Sequence, residues 1–108
     1  MKKIILMATI ICLMTVCYVT AETVERKMTV QGLCGMCKTR IEKTALNING
    51  VNKAEWQFDT MALTVQFDSA KTTLENISEE LAKAGHDTDR DKADDNVYNA
   101  LPNCCKYR

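Results

Sequence analysis

Two cysteines separated by two residues are the part of this sequence best suited to chemistry. Cys34 and Cys37 enclose Gly35-Met36, at the point where a strand-like stretch gives way to a helical pattern. Two sulfur atoms at this spacing can converge on one ion, because the first lies in the loop and the second in the first helical turn. A helix N-terminus favours the thiolate, which is the form of cysteine that binds metal. Two thiolates form a soft site that suits copper(I).

A second pair, Cys104 and Cys105, lies in the C-terminal tail. Adjacent cysteines can form only a strained ring disulfide with each other. If the tail folds back over the first pair, all four sulfur atoms could form one site for tetrahedral zinc or for a multi-copper cluster. Disulfides between the two pairs stay open as an alternative, because small exported domains commonly carry them.

The first residues have the features of a secretory signal. Two lysines precede the apolar run Ile4–Val19, and the small residue Ala21 precedes the first acidic residue. We expect residues 1–21 to be removed, which gives an exported, periplasmic protein with no stable membrane insertion. A lipid anchor on Cys17 is the alternative, but the preceding Met14-Thr15-Val16 places a bulky residue where a small one is expected.

Size and charge limit the classes of function. Removal of residues 1–21 from the 108-residue chain leaves 87 residues, enough for one domain with a small core and little room for a buried substrate cavity. An ordinary enzyme is therefore disfavoured. The two early lysines leave with the signal, so 12 basic residues face 14 acidic ones. This balance argues against nucleic acid as a partner.

The elements that must position the cysteines follow from the apolar periods. The predicted order is a strand at Thr23–Val30, a helix at Gly35–Asn47, strands at Val51–Phe58 and Ala62–Phe67, and a helix at Leu74–Ala84. Two helices on one face of an antiparallel sheet give a two-layer α+β sandwich. The acidic stretch from His86 to Asn96 has no apolar alternation, so we expect a solvated run there and a fourth strand that is weak or absent.

Several spaced landmarks resemble the heavy-metal-associated domain of copper chaperones, mercury-binding periplasmic proteins and metal-pumping ATPases. They are Val30–Cys37, Ile41-Glu42, Gly50-Val51, Val65–Asp68 and Ala84–His86. Together with the predicted signal peptide at 1–21, the resemblance divides the chain into a heavy-metal-associated domain at 22–88 and a C-terminal extension at 89–108. Three features depart from the family pattern: the loop is shortened to Gly32-Leu33-Cys34, no fourth strand is recognisable after His86, and the cysteine tail is added.

The resemblance implies a ferredoxin-like βαββαβ fold with a metal held by Cys34 and Cys37. It also implies that His86 lies close to the loop Gly32–Cys37, which we call the metal loop. With the tail, the candidate metal ligands are Cys34, Cys37, His86, Cys104 and Cys105. The implied cargo is copper(I), with mercury(II) and zinc(II) as alternatives. The implied partner is a metal-transporting ATPase or another metal-binding domain that receives the ion by ligand exchange.

The sequence thus predicts a non-enzymatic metallochaperone or scavenger in the cell envelope. A thiol–disulfide redox protein is the chief rival, because the same cysteine spacing serves oxidoreductases. The motif lacks the aromatic and proline setting of thioredoxins, and Pro102 is the chain's single proline. A disulfide-stapled interaction module is the third interpretation.

Overall fold

The computed structural model describes residues 22–108, and the predicted signal peptide lies outside them. The elements are β1 (Thr23–Thr29), α1 (Gly35–Leu46), β2 (Val51–Gln57), β3 (Ala62–Asp68), α2 (Leu74–Lys83), α3 (Asp95–Asn99) and a 3-10 helix (Asn103–Cys105). The first five elements begin and end within one or two residues of the predicted bounds. The predicted α+β order is therefore confirmed. No helix within the described range combines the length and the apolar character needed to cross a membrane.

The strands of residues 22–108 form an antiparallel sheet in the order β1-β3-β2. Leu63, in the central strand, pairs with Met28 on one side and with Trp56 on the other. All three side chains are buried, so they form a row across the face of the sheet that carries the core. The N–H of Val30 donates to the carbonyl of Met61 at 2.8 Å, which extends the pairing of β1 into the loop before α1.

The two main helices, α1 and α2, pack against the core face of the sheet. The residues of α1 that are fully buried recur at a spacing of four, and α2 contributes a similar stripe, as the apolar period predicts. These residues are Cys37, Ile41 and Ala45 in α1, and Ile77 and Leu81 in α2. Cys37 is thus both a core residue and a candidate metal ligand, so the candidate site borders the core.

A single antiparallel bridge between Val30 and Thr88 stands where a fourth strand would lie beside β1. The N–H of Gln31 donates to the carbonyl of Asp87 at 2.8 Å, and the N–H of Asp89 donates to that of Thr29 at 3.1 Å. The prediction of a weak fourth strand is confirmed. This short pairing brings the segment after α2 directly against the loop that precedes Cys34.

Two finer predictions were wrong. The acidic stretch is not simply a solvated run, because Asp91 Oδ2 accepts a hydrogen bond from Ser78 Oγ at 2.6 Å and Asp87 Oδ1 accepts one from the N–H of Ala93 at 2.7 Å. One carboxylate thus connects the segment to α2 and the other forms a turn within it, and the Ala93 side chain is buried. Phe58, predicted to be the last residue of the second strand, lies outside it and is 60% exposed, because β2 ends one residue earlier.

Candidate metal centre

The primary cysteine pair lies at the N-terminus of α1. Cys34 is the residue before the first helical turn and has an extended backbone, with φ −148° and ψ 178°. Cys37 lies in that turn and is fully buried, whereas Cys34 is half-buried. Their Sγ atoms are 3.8 Å apart. The structure therefore places both sulfur atoms on one side of the loop, close enough to contact a single ion.

Gly32 lets the metal loop pass close to the core. A Cβ atom on Gly32 would lie 3.1 Å from the Cβ of Cys37 and 3.1 Å from two ring carbons of Trp56. The indole Nε1 of Trp56 also donates to the carbonyl of Val30 at 3.0 Å. Gly35, by contrast, occupies a position that does not require glycine. Gly35 has an ordinary φ and no atom within 4 Å of its Cβ position.

A hydrogen-bonded network fixes α1 to the end of β2. Lys38 Nζ lies 2.6 Å from Glu42 Oε2 and 2.8 Å from the carbonyl oxygen of Trp56. The same Glu42 oxygen accepts a hydrogen bond from the N–H of Trp56 at 2.9 Å. Lys38 is thus engaged in positioning the helix, and its ammonium group is already paired with a carboxylate.

The environment of Cys34 favours its thiolate. The pKa of Cys34 is lowered to about 7, mainly by a hydrogen bond from the backbone N–H of Cys37, and burial opposes this shift. Hydrogen bonds from the Cys104 thiol and from the N–H of Met36 to the same sulfur contribute to the lowering. Amide groups at a helix N-terminus are the expected cause of such a shift. At neutral pH a large fraction of Cys34 is therefore ready to bind a cation.

The tail cysteines join the primary pair. The Sγ atoms of Cys34, Cys104 and Cys105 all lie within 4.8 Å of one another. Cys104 is exposed and its Sγ lies 3.6 Å from Met36 Sδ, whereas Cys105 is fully buried. All four cysteines of the described residues carry free thiols. The structure therefore brings together four of the five predicted ligands.

The tail thiols differ from Cys34 in acidity. Hydrogen bonding to the Cys34 sulfur raises the pKa of Cys104, and burial raises the pKa of Cys105 strongly. The neighbouring thiols of Cys37 and Cys104 raise the pKa of Cys105 further. Of these three thiols, Cys34 is therefore the most acidic.

Contacts on both sides of the 3-10 helix hold the tail in place. Before it, Leu101 packs on Gly85, where φ is +104° and a Cβ would lie 2.9 Å from Leu101 Cδ2. After it, the Tyr107 hydroxyl donates to the carbonyl of Gly85 at 2.6 Å and accepts from the N–H of Asp87 at 2.7 Å. Arg108 donates to the carbonyl of Ala93 at 2.8 Å. We call Leu101, Tyr107 and Arg108 the tail latch.

His86 is not part of the sulfur group. Its side chain is fully buried, its Nδ1 lies 2.8 Å from the carbonyl oxygen of Gln31, and its ring stacks on Tyr107 with centroids 6.0 Å apart. Burial lowers its pKa, so the ring is neutral at physiological pH. Within residues 22–108 its Nε2 has no hydrogen-bond partner. A ligand role for His86 stays a prediction, and the observed contacts give it a place between the metal loop and the tail.

Sequence reasoning did not identify Gly32, Tyr107 or Arg108. Gly32 precedes the motif by only two residues, but its importance comes from the Trp56 ring, which is distant in sequence. Tyr107 and Arg108 follow the cysteine tail as an aromatic and a basic residue. Their position next to the cysteine pair was the only feature of the sequence that could have indicated a role for them.

Comparison with known proteins identifies the family. The family model of the heavy-metal-associated domain matches residues 19–87. The mercuric transport protein periplasmic component of Pseudomonas aeruginosa is 32% identical over 87 residues, which cover 80% of this chain and 93% of the relative. The copper chaperone CopZ of Staphylococcus epidermidis is 30% identical over 64 residues, which cover 58% of this chain and 94% of CopZ.

The fold agrees with these relationships. The crystal structure of oxidized MerP from Ralstonia metallidurans CH34 superimposes with a TM-score of 0.59 at 29% identity, covering 62% of this chain and 94% of MerP. The family match ends at residue 87, before Cys104 and Cys105. From the family match, the sequence identities and the shared fold, we conclude that this chain belongs to the heavy-metal-associated domain family.

Proposed function

We propose that this protein is a non-enzymatic carrier or scavenger of soft metal ions, with copper(I) as its cargo and Cys34 and Cys37 as the primary ligands. The observation that carries the proposal is the 3.8 Å separation of the two Sγ atoms at the N-terminus of α1. The pKa of about 7 at Cys34 supports it, because a metal ligand must be deprotonated. Membership of the family supports heavy-metal binding in general.

The donor atoms favour a soft cation. Among the described residues, the group gathered at this end of α1 consists of sulfur atoms. Thiolate ligands select copper(I) and related ions, whereas carboxylates and carbonyls suit magnesium or calcium. The names of the relatives point to both copper and mercury. Mercury(II) and zinc(II) therefore belong in the same competition experiment as copper(I).

The expected setting is the periplasm. The signal-like residues 1–21 support export, and one relative is named as a periplasmic component. We expect the receiving partner to be a metal-transporting ATPase or another metal-binding domain, as the family resemblance implies. Transfer would proceed by ligand exchange, in which an incoming thiolate forms one metal–sulfur bond as a bond to this chain breaks. The half-buried Cys34 is more accessible to such a partner than Cys37.

Anaerobic competition tests the proposal. The reduced protein is titrated with copper(I) in the presence of bicinchoninate, a chromophoric copper(I) chelator. We expect the protein to withdraw copper(I) from the chelator, and the Cys34→Ala/Cys37→Ala variant to lose this ability. Thr39→Ala, on the exposed face of α1, is the matched control and should behave as the wild type. Release of copper(I) to a weak competitor would refute the proposal.

Two further assays separate the rival functions. Turnover in an insulin-reduction assay without metal retention would favour a thiol–disulfide redox protein. Complete loss of free thiols in protein taken directly from the cell envelope would favour a disulfide-stapled module. We expect neither result, because all four described cysteines are free thiols in this structure and their sulfur atoms gather beside the N-terminus of α1.

A further inference from the structure

The tail cysteines lie beyond the family match, yet the fold returns them to the metal loop. We propose that Cys104 and Cys105 are metal ligands that close over the Cys34–Cys37 pair, giving a soft ion at least three thiolates. This inference rests on the proposed function and extends it, because it specifies a closed site that retains its ion. It assigns the protein to sequestration or slow release in preference to rapid delivery.

The distances fit a shared ion. Metal–sulfur bonds of about 2.3 Å in a tetrahedral site place ligand sulfurs about 3.8 Å apart. The Cys34 and Cys37 sulfurs already lie at 3.8 Å. The sulfurs of Cys34, Cys104 and Cys105 lie within 4.8 Å of one another, so a contraction of about 1 Å at most brings them to ligand spacing. Side-chain rotation alone can supply a movement of this size.

The tail is positioned by residues other than its cysteines. Leu101 is buried against Gly85 before the 3-10 helix, and Tyr107 is hydrogen-bonded to Gly85 and Asp87 after it. Packing therefore does not require a cysteine at position 104, whose side chain is exposed. An exposed thiol adds little to stability, but it stands beside the Cys34 sulfur and the Met36 thioether. This arrangement supports a chemical role for the pair.

Closure changes how the ion would leave. An ion bound by two thiolates keeps an open position for a partner, whereas three or four thiolates fill the coordination shell. The exposed Cys104 is then the ligand best placed to leave first. An incoming thiolate would form one metal–sulfur bond while the bond to Cys104 breaks, and the released Cys104 would take up a proton. No electron is transferred in this step.

The test compares copper(I)-loaded wild type with the Cys104→Ser/Cys105→Ala variant. X-ray absorption counts the sulfur neighbours of the copper, and bicinchoninate measures its affinity and rate of release. We expect three or four sulfur neighbours in the wild type and two in the variant. The loss of an outer-shell partner already weakens metal sites about 10- to 100-fold, so we expect at least about a tenfold loss of affinity here. Asn103→Ala, in the same 3-10 helix, is the control.

A single variant distinguishes the loss of a metal ligand from a folding defect. Cys104→Ser alters an exposed residue, so its circular dichroism and thermal unfolding should match the wild type while its copper release becomes faster. If the wild type binds copper tightly through two sulfurs and the double variant releases it no faster, the tail proposal is overturned and the proposed function stands. If the wild type fails to hold copper(I), both are overturned.

Discussion

The guanidinium group of Arg108 binds both carboxylate oxygens of Asp87, with Nη2 2.8 Å from Oδ1 and Nε 3.3 Å from Oδ2. Arg108 also reaches Asp95 Oδ1 at 2.9 Å and lies over the ring of Tyr98, 4.4 Å from its centroid. Fork-shaped pairing of this kind fixes geometry as well as charge. It therefore joins the tail to the segment that follows the buried His86.

Acid should weaken this pair. Burial alone would raise the pKa of Asp87, but hydrogen bonds from Arg108 and from the N–H of Ala93 outweigh it and hold the pKa below its ordinary value. A carboxyl with a depressed folded pKa stabilises the fold above its unfolded pKa of about 3.9, and this contribution disappears as the pH falls through the folded value. We expect Asp87→Asn to be less stable than the wild type at neutral pH.

The difference between the two proteins should shrink on acidification below about pH 4. Urea unfolding followed by circular dichroism at a series of pH values measures it. Asp59→Asn, in the exposed turn after β2, is the control and should show no such dependence. A constant difference between wild type and Asp87→Asn down to strong acid would contradict the assignment.

The Tyr107 hydroxyl should contribute to the stability of the tail. Tyr107→Phe keeps the ring stacked on His86 but leaves the N–H of Asp87 and the carbonyl of Gly85 without their partner. We expect a loss of about 1–3 kcal/mol in the free energy of unfolding, the usual effect of an unsatisfied buried polar group. Limited proteolysis should also cleave the tail faster. The control, Lys106→Ala, should leave both measurements near those of the wild type.

The two glycines of the metal loop should respond in opposite ways. Gly32→Ala places a methyl group 3.1 Å from Cys37 Cβ and from the Trp56 ring, so we expect a loss of about 1–3 kcal/mol in stability and weaker copper(I) binding. Gly35→Ala meets open space in the first turn of α1 and should be neutral or stabilising by about 0.4–1 kcal/mol. Thermal unfolding and chelator competition measure both effects. Equal behaviour of the two variants would show that the close packing around Gly32 does not hold in solution.

Cys34 should be the first cysteine to react. Thiolate is the nucleophile, so the alkylation rate follows ionisation, and Cys34 has a pKa of about 7. We expect its rate with iodoacetamide to rise through neutral pH in the reduced, metal-free protein. Cys104, whose pKa is raised, should require more alkaline conditions despite its exposure. Peptide mass mapping after timed labelling identifies each site. Earlier labelling of Cys104 than of Cys34 would contradict this order.

The regular elements were predictable because their signals are local. Alternation in Ala62–Asp68 and the four-residue spacing of Cys37, Ile41 and Ala45 depend only on which face of a strand or helix meets the core. The requirement for glycine at position 32 was not predictable in this way. It arises from the Trp56 ring, which packs on the loop only after the sheet has formed.

The placement of the tail was also beyond a local argument. The α3 helix has only five residues, Asp95–Asn99, which is too short for an apolar period to emerge. Contacts such as those of Tyr107 with Gly85 and Asp87 connect segments whose separation carries no recognisable spacing. The meeting of the two cysteine pairs was therefore a hypothesis from the sequence, whereas the residues of the tail latch that bring them together were identified only in the structure.

If the sulfur atoms from both ends of the domain share one ion, as we propose, metal occupancy and attachment of the tail are thermodynamically linked. An ion shared by Cys34 and Cys105 would raise the equilibrium constant for attachment of the tail by a certain factor. Attachment of the tail would raise the affinity for the ion by the same factor. Detachment of the tail by heat, by acid or by a competing protein surface would then also promote release of the metal ion.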